Sequence, residues 1–157
     1  MRVAEELRYL VLAAQREGYR LLAHQLRPLG ITPSQAEALR VLSDHQPLTL
    51  GGLGELLVCE TGNNPSRLVD RLVSLEFIER RPSEVDKRRV ELTLTAGGEG
   101  LVHRIAQIEE SIYERIDAAS GGPELDEVLN FLRRLVADLP AGQALARRVA
   151  MAGLTLD

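Results

Sequence analysis

The chain has 157 residues, 45% of them hydrophobic and 27% charged, so it can bury the core of one domain, and no apolar run approaches the roughly 18 residues of a membrane span. Its one cysteine excludes an intramolecular disulfide framework and a multi-cysteine zinc site. A formal net charge of -4 excludes a uniformly basic nucleic-acid binder, yet residues 63–90 carry seven cations and five anions.

The first third of the chain predicts two helices. Residues 1–6 become acidic at once and lack the basic start of a secretory signal, so we expect a cytoplasmic protein. From Glu6 to Leu29 apolar residues recur at helical steps, until a proline and a glycine end the pattern. The stretch Thr32–Gln35 has a capping hydroxyl, then proline, then glutamine three residues after the cap, which predicts a second helix from Pro33 to Asp44.

Two further helices are predicted before residue 76. Thr49 can cap a short third helix, although three glycines in it are poor helix formers. Residues 61–65 predict a turn, in which Asn64 could cap a fourth helix that begins at Pro65. The apolar residues that this fourth helix is expected to bury are Leu68, Leu72 and Leu75.

A β-hairpin follows the fourth helix. Phe77–Pro82 and Arg89–Thr95 are predicted strands, and the second alternates Val90, Leu92 and Leu94 with polar residues. The polar run between them, Ser83–Arg88, is expected to form a long hairpin tip.

The C-terminal third predicts two long amphipathic helices. Thr95 caps a fifth helix, which Gly121, Gly122 and Pro123 end, and a last helix runs from about Glu124 with an apolar stripe that reaches Leu139. The apolar stripes of the first, fifth and sixth helices have more surface than the small set of elements between the first and fifth helices can cover. We therefore expect them to meet a second copy of the chain, which predicts a homodimer.

The order of helix, short helix, turn, helix and two-stranded hairpin is that of a winged helix-turn-helix. Three stretches resemble the MarR family of bacterial transcriptional regulators over about residues 32–100: Ile31–Gln35, Pro65–Leu72, and Asp86-Lys87-Arg88 followed by Leu92–Thr95. The turn between Leu53 and Arg67 is longer than that of the family.

The resemblance implies one domain over residues 1–157 that is mainly α with a small β-hairpin (α+β). Residues 32–100 would form the winged helix-turn-helix, and the helices of 1–30 and 101–157 would form the dimerisation region. The expected function is sequence-specific binding of a palindromic double-stranded DNA operator, as a repressor, without catalysis or cofactor.

For the wing, the resemblance implies that Arg88 enters the minor groove and that Asp86 supports the hairpin tip; the alternative is a solvated charged turn. The other candidate DNA contacts are Thr32, Ser34, Gln35, Asn63, Asn64, Ser66, Arg67, Arg71 and Lys87. Arg71 could instead pair with Glu76 or Glu79. Simple helix capping explains Thr32, Ser34 and Gln35 nearly as well as phosphate contact.

Many MarR proteins change DNA affinity when a small aromatic or phenolic effector binds between the helical arms and the winged region. Residues that could line such a pocket, or could simply be core or interface residues, are Tyr9, Tyr19, His24 and Tyr113.

An alternative function is a metal- or redox-responsive winged-helix regulator that uses histidines or Cys59. His24, His45 and His103 fall in different predicted elements and match no catalytic signature, so an enzyme or metal site is not expected. Peroxide-sensing cysteines of some relatives lie in the N-terminal helical region. Cys59 is therefore expected to be a small buried hydrophobe.

Overall fold

The protein is described here by a computed structural model that covers residues 2–59, 65–120 and 123–153. Those residues contain seven α-helices, a short 3₁₀ helix (Arg27–Leu29) and three strands. The α-helices are α1 (Val3–Leu26), α2 (Pro33–His45), α3 (Leu50–Gly54), α4 (Pro65–Ser74), α5 (Ala96–Ala119), α6 (Pro123–Val136) and α7 (Pro140–Met151). The strands are β1 (Leu48–Thr49), β2 (Ile78–Pro82) and β3 (Val90–Leu94). Within the described ranges, no helix combines the length and apolar character needed to span a membrane.

Local capping determines where three helices begin, and each predicted cap is confirmed. At α2 the Thr32 side chain accepts from the Gln35 N–H, while the Gln35 side chain accepts from the Thr32 N–H. Thr49 accepts from Gly52 N–H at α3, and Thr95 accepts from Gly98 N–H at α5. The predicted cap of α4 falls on residues 60–64, which lie outside the described residues.

The sheet has the strand order β1-β3-β2, and both pairs are antiparallel. The predicted hairpin is confirmed, with Ile78 opposite Leu94 and Pro82 opposite Val90. Strand β1 was not predicted, because two residues are too few to show alternation. The inward alternation holds for Leu92 and Leu94, whereas Val90 is 53% exposed because it lies at the hairpin end remote from the core.

A single apolar cluster joins α2, α3, α4, the sheet and the first turns of α5. Its fully buried members include Leu39, Leu53, Leu72 and Ile105, each stabilising the fold by roughly 1.5–3 kcal/mol through burial. The residues expected from α4 need correction: Val69 and Leu72 are buried, whereas Leu68 and Leu75 are only half-buried. Val69 and Leu72, three residues apart, form the buried face of α4, and Leu68 and Leu75 lie at its edges.

The helices of residues 1–30 and 101–157, called the helical arms below, bury little of their apolar surface in one protomer. Of the described residues of α1 only Leu26 is buried, and no side chain described in α6 is buried. The helix expected to reach Leu139 ends at Val136 and is followed by a separate helix, α7. Pro140 at its first position starts α7. Gly142 allows α7 to approach α6, since a β-carbon there would overlap the carbonyl oxygen of Val136.

Candidate nucleic-acid interface

Helix α4 presents arginines to solvent on the side away from the core. Arg67 and Arg71 are exposed and one helical turn apart, and Ser66 is half-buried in the first turn. Arg71 makes no ion pair with any residue in the described ranges, so neither Glu76 nor Glu79 holds it. No carboxylate of the described residues therefore competes with an external anion for its guanidinium.

An ion pair joins α4 to the hairpin. The Arg80 Nη2 atom on β2 lies 2.6 Å from Oδ1 of Asp70 on α4. Both side chains are substantially exposed, so the pair adds little free energy of folding. It marks where α4 and the hairpin lie side by side on one surface.

The hairpin tip is built around two short polar side chains. The Ser83 hydroxyl, in a residue only 2% exposed, accepts from the backbone N–H groups of Val85 and Asp86 at 3.3 and 3.4 Å. The Asp86 Oδ1 atom accepts from the Arg88 N–H at 3.0 Å. Asp86 thus orders the backbone below the Arg88 side chain. The sequence predicted Ser83 in the hairpin tip without assigning it a supporting role, although serine before a turn is a known turn signal.

The positive charge of residues 65–90 is divided into paired and available groups. Arg80 pairs with Asp70 and Arg81 pairs with Glu79. The cations of this segment without a carboxylate partner among the described residues are Arg67, Arg71, Lys87, Arg88 and Arg89. They occupy α4 and the wing tip, so this surface suits a polyanion despite the acidic chain.

The N-terminus of α2 offers fewer side chains than expected. Thr32 and Gln35 complete a reciprocal capping box, and Gln35 is only 8% exposed. Capping therefore accounts for these two residues, whereas half-buried Ser34 stays a candidate phosphate contact. Asn63 and Asn64 lie outside the described residues.

The four residues expected to line an effector pocket do not share one cavity in the protomer. Tyr113 lines a cavity of about 220 Å³ between α2, α5 and α7, together with Arg40, Glu109 and Arg148. Tyr19 and His24 line an open groove along α1, and the Tyr9 ring lies 4.1 Å from the Arg8 guanidinium carbon.

Several charged side chains line the cavity beside Tyr113. Arg40 Nε donates to Oε2 of Glu109 at 3.0 Å. Burial raises the pKa of the Glu109 carboxyl, although Arg40 opposes the rise. Burial also raises the pKa of Tyr113, with the Glu109 charge as the next cause. This phenol stays neutral near pH 7 and can donate to a bound molecule.

Cys59 is exposed, and the expectation of a small buried hydrophobe is wrong. Leu56 and Leu57 enter the core, but the chain then reaches the surface, where the backbone N–H groups of Val58 and Cys59 donate to Glu37. Among the described residues no group of three histidine, cysteine or acidic side chains could hold a metal ion.

A family model for the MarR family matches residues 31–90. The chain is 31% identical over 112 residues to the organic hydroperoxide resistance transcriptional regulator of Bacillus subtilis, a match covering 71% of this chain and 76% of that protein. It is 35% identical over 89 residues to the multiple antibiotic resistance protein MarR of Escherichia coli, covering 57% and 61% respectively. A crystal structure of mutant Escherichia coli MarR complexed with operator DNA superposes with a TM-score of 0.73 at 26% identity, covering 87% of this chain and 99% of that one.

Proposed function

The chain belongs to the MarR family, and from that premise we propose that it is a homodimeric, sequence-specific DNA-binding regulator that represses transcription in the cytoplasm. The observation that carries the proposal is the set of five cations without carboxylate partners on α4 and the wing tip, within the described residues. Their placement matches an element that enters the major groove and a hairpin that reaches the flanking minor groove.

The two parts of the interface have different tasks. The first turn of α4, with Ser66 and Arg67, reads base edges in the major groove, where each base pair presents a distinct pattern of donors and acceptors. The wing places Arg88 in the minor groove, whose narrow A·T-rich form has an enhanced negative potential. Helix α4 thus determines sequence preference, and the wing adds affinity.

Dimerisation through the arms places two such interfaces on one duplex. All but two of the exposed large hydrophobic side chains in the described residues lie on the helical arms, including Leu10, Ile116 and Leu135. Apolar stripes of this extent mark a contact surface. A two-fold dimer then favours a palindromic site with half-sites roughly 34–36 Å apart.

The cavity lined by Arg40, Glu109, Tyr113 and Arg148 is the proposed effector site. It lies between the arms and the winged region, and its volume of about 220 Å³ limits it to a compact molecule. Its charged walls and the neutral Tyr113 hydroxyl favour a ligand that carries both donors and acceptors. Such a ligand would change the fit of arms and winged region, and hence DNA affinity.

Selection of bound sites from random duplex DNA tests the function directly. We expect enrichment of a palindrome, and we expect Ser66→Ala and Arg67→Ala to change which bases are preferred, by roughly 1–3 kcal/mol per lost base contact. Arg20→Ala is the matched control, because Arg20 is an exposed α1 side chain paired with Glu17 on the same helix. Failure to enrich any duplex would overturn the proposal.

A further inference from the structure

The carboxylate of Glu37 on α2 holds the end of the segment that follows α3. Its Oε1 atom accepts from the Val58 N–H and its Oε2 atom from the Cys59 N–H, both at 2.8 Å. The side chain is 9% exposed, so these charge-assisted bonds are largely protected from water. Glu37 thus binds the backbone N–H groups of two residues that lie 21 and 22 positions after it in the sequence.

Two side chains of the C-terminal helix α7 also bind this segment or its partner Glu37. Arg148 Nη1 donates to Oε1 of Glu37 at 2.9 Å, with the Arg148 side chain 27% exposed. One residue earlier, Arg147 Nη1 donates to the Glu55 carbonyl oxygen at 3.4 Å. Two neighbouring arginines of one arm therefore contact residues 55–59 directly or through Glu37.

Helix α3, which leads directly into this segment, lies against the start of α4. A β-carbon on Gly54, at the end of α3, would lie 3.1 Å from Cγ of Pro65, the first residue of α4. Because Gly54 lies against that ring, we expect a displacement of α3 to move the N-terminal turn of α4. That turn carries Ser66 and Arg67.

We propose that Glu37, held by Arg148, is a positioning residue that sets the N-terminal turn of α4 against DNA and couples α7 to DNA recognition. The effect on DNA binding rests on the proposed function, whereas the positioning itself rests on the hydrogen bonds of Glu37. Neither residue needs to touch DNA. The arms influence DNA binding through this link in addition to holding the dimer together.

The test compares Glu37→Gln, Arg148→Met, Arg148→Lys and the double variant Glu37→Gln/Arg148→Met in the full chain. A glutamine presents an amide NH₂ to one of the two backbone N–H donors, so one of those bonds is lost. We expect about tenfold weaker operator binding for Glu37→Gln, since a hydrogen bond to a charged group is lost. Arg148→Met should weaken binding less, Arg148→Lys least, and the double variant no more than Glu37→Gln alone.

Amide hydrogen exchange of Val58 and Cys59, followed by NMR, supplies a readout that general destabilisation would not single out. We expect these two amides to exchange faster in Glu37→Gln while sedimentation still shows the parental dimer and amides of α5 keep their protection. Arg20→Met is the control for loss of one positive charge.

Two results would overturn the positioning role. One is parental operator affinity in Glu37→Gln, and the other is unchanged exchange at Val58 and Cys59. A parent protein that selects no duplex would instead overturn the proposed function, and the positioning role with it.

Discussion

Six arginines lie between residues 67 and 89. Some of them are paired with carboxylates and others are not, a difference that their spacing in the sequence does not show. Arg80 and Arg81 neutralise carboxylates of α4 and β2 and support the shape of the interface. Arg88 has no such partner in the described chain, but its backbone N–H is bound by Asp86. A residue that shapes the surface and one proposed to contact DNA should therefore respond differently to substitution.

The first prediction concerns Arg88 and Asp86. Arg88→Ala should weaken binding to all duplexes and reduce the slope of log affinity against log salt by about one phosphate contact per subunit. Asp86→Ala should have the same effect more weakly, because it frees the Arg88 backbone while leaving its charge. The measurement is binding to matched and mismatched duplexes across a salt series, with Arg20→Ala as control. An unchanged salt slope in Arg88→Ala would make the wing a solvated hairpin.

The second prediction concerns the half-buried Glu109. Because burial raises its pKa above the ordinary 4.5, the folded protein holds this proton more tightly than the unfolded chain does. Its contribution to stability is therefore full below about pH 4.5 and is lost as the pH rises through the raised pKa. Glu109→Gln removes this titration.

We expect the unfolding free energy of the parent, minus that of Glu109→Gln, to fall as the pH rises from about 4 to about 7. Urea titrations at equal protein concentration measure it. A difference that grew with pH would mean that Arg40 stabilises the carboxylate by more than burial opposes it.

At the level of elements, the junction between the hairpin and α5 depends on close backbone packing. Thr95 caps α5, and its hydroxyl also donates to the Glu76 carbonyl oxygen at 2.6 Å. Gly98 then sits directly against the Phe77 backbone, where a β-carbon would overlap the Phe77 carbonyl oxygen. This junction determines how the arm leaves the winged region.

The third prediction uses two glycines of α5 in different surroundings. Gly98→Ala should destabilise the protein by about 1–3 kcal/mol, because the Phe77 carbonyl must shift to admit the methyl group. Gly100→Ala should stabilise it by up to about 1 kcal/mol, since a β-carbon there meets open space and alanine favours helix. Urea unfolding of both variants decides the matter, and equal effects would contradict the packing described.

At the level of the whole molecule, one protomer separates a well-packed winged region from poorly covered arms. The apolar core involves α2, α3, α4 and the sheet, whereas α1 and α6 expose most of their apolar side chains. An open cavity of about 530 Å³ lined by α1, α5 and α6 has the same apolar character. A second copy of the chain would cover these surfaces.

The fourth prediction is a stable dimer at micromolar concentration in sedimentation experiments. Leu135→Glu, at a site 54% exposed on α6, should weaken the dimer by about a hundredfold or more, because an unpaired carboxylate would be buried at the interface. Val85→Glu is the matched control, since Val85 is 97% exposed but lies on the wing. A parent protein that sediments as a monomer would refute the prediction.

Short-range patterns in the sequence were sufficient for most helices and for three of their caps. Thr32, Thr49 and Thr95 each bond an N–H three residues later, so the cap and its partner are read from one short stretch. The hairpin and the apolar stripes of the arms are likewise periodic within each element. The start of α7 at Pro140 also has a local signal, a proline at the first helical position, but the predicted single helix with a stripe up to Leu139 makes no use of it.

Tertiary structure decided which of these residues are available and which are held. Arg80 meets Asp70 across ten residues, and Arg148 meets Glu37 across 111, so no local pattern separates these arginines from Arg71, which has no such partner among the described residues. The exposure of Cys59 and the burial of Ser83 likewise depend on how elements distant in sequence pack together. The sequence by itself determined most of the elements, because their hydrogen bonds and periods are local. Packing of distant elements determined the charge available to DNA, because a side chain's partner depends on the three-dimensional neighbours that the fold supplies.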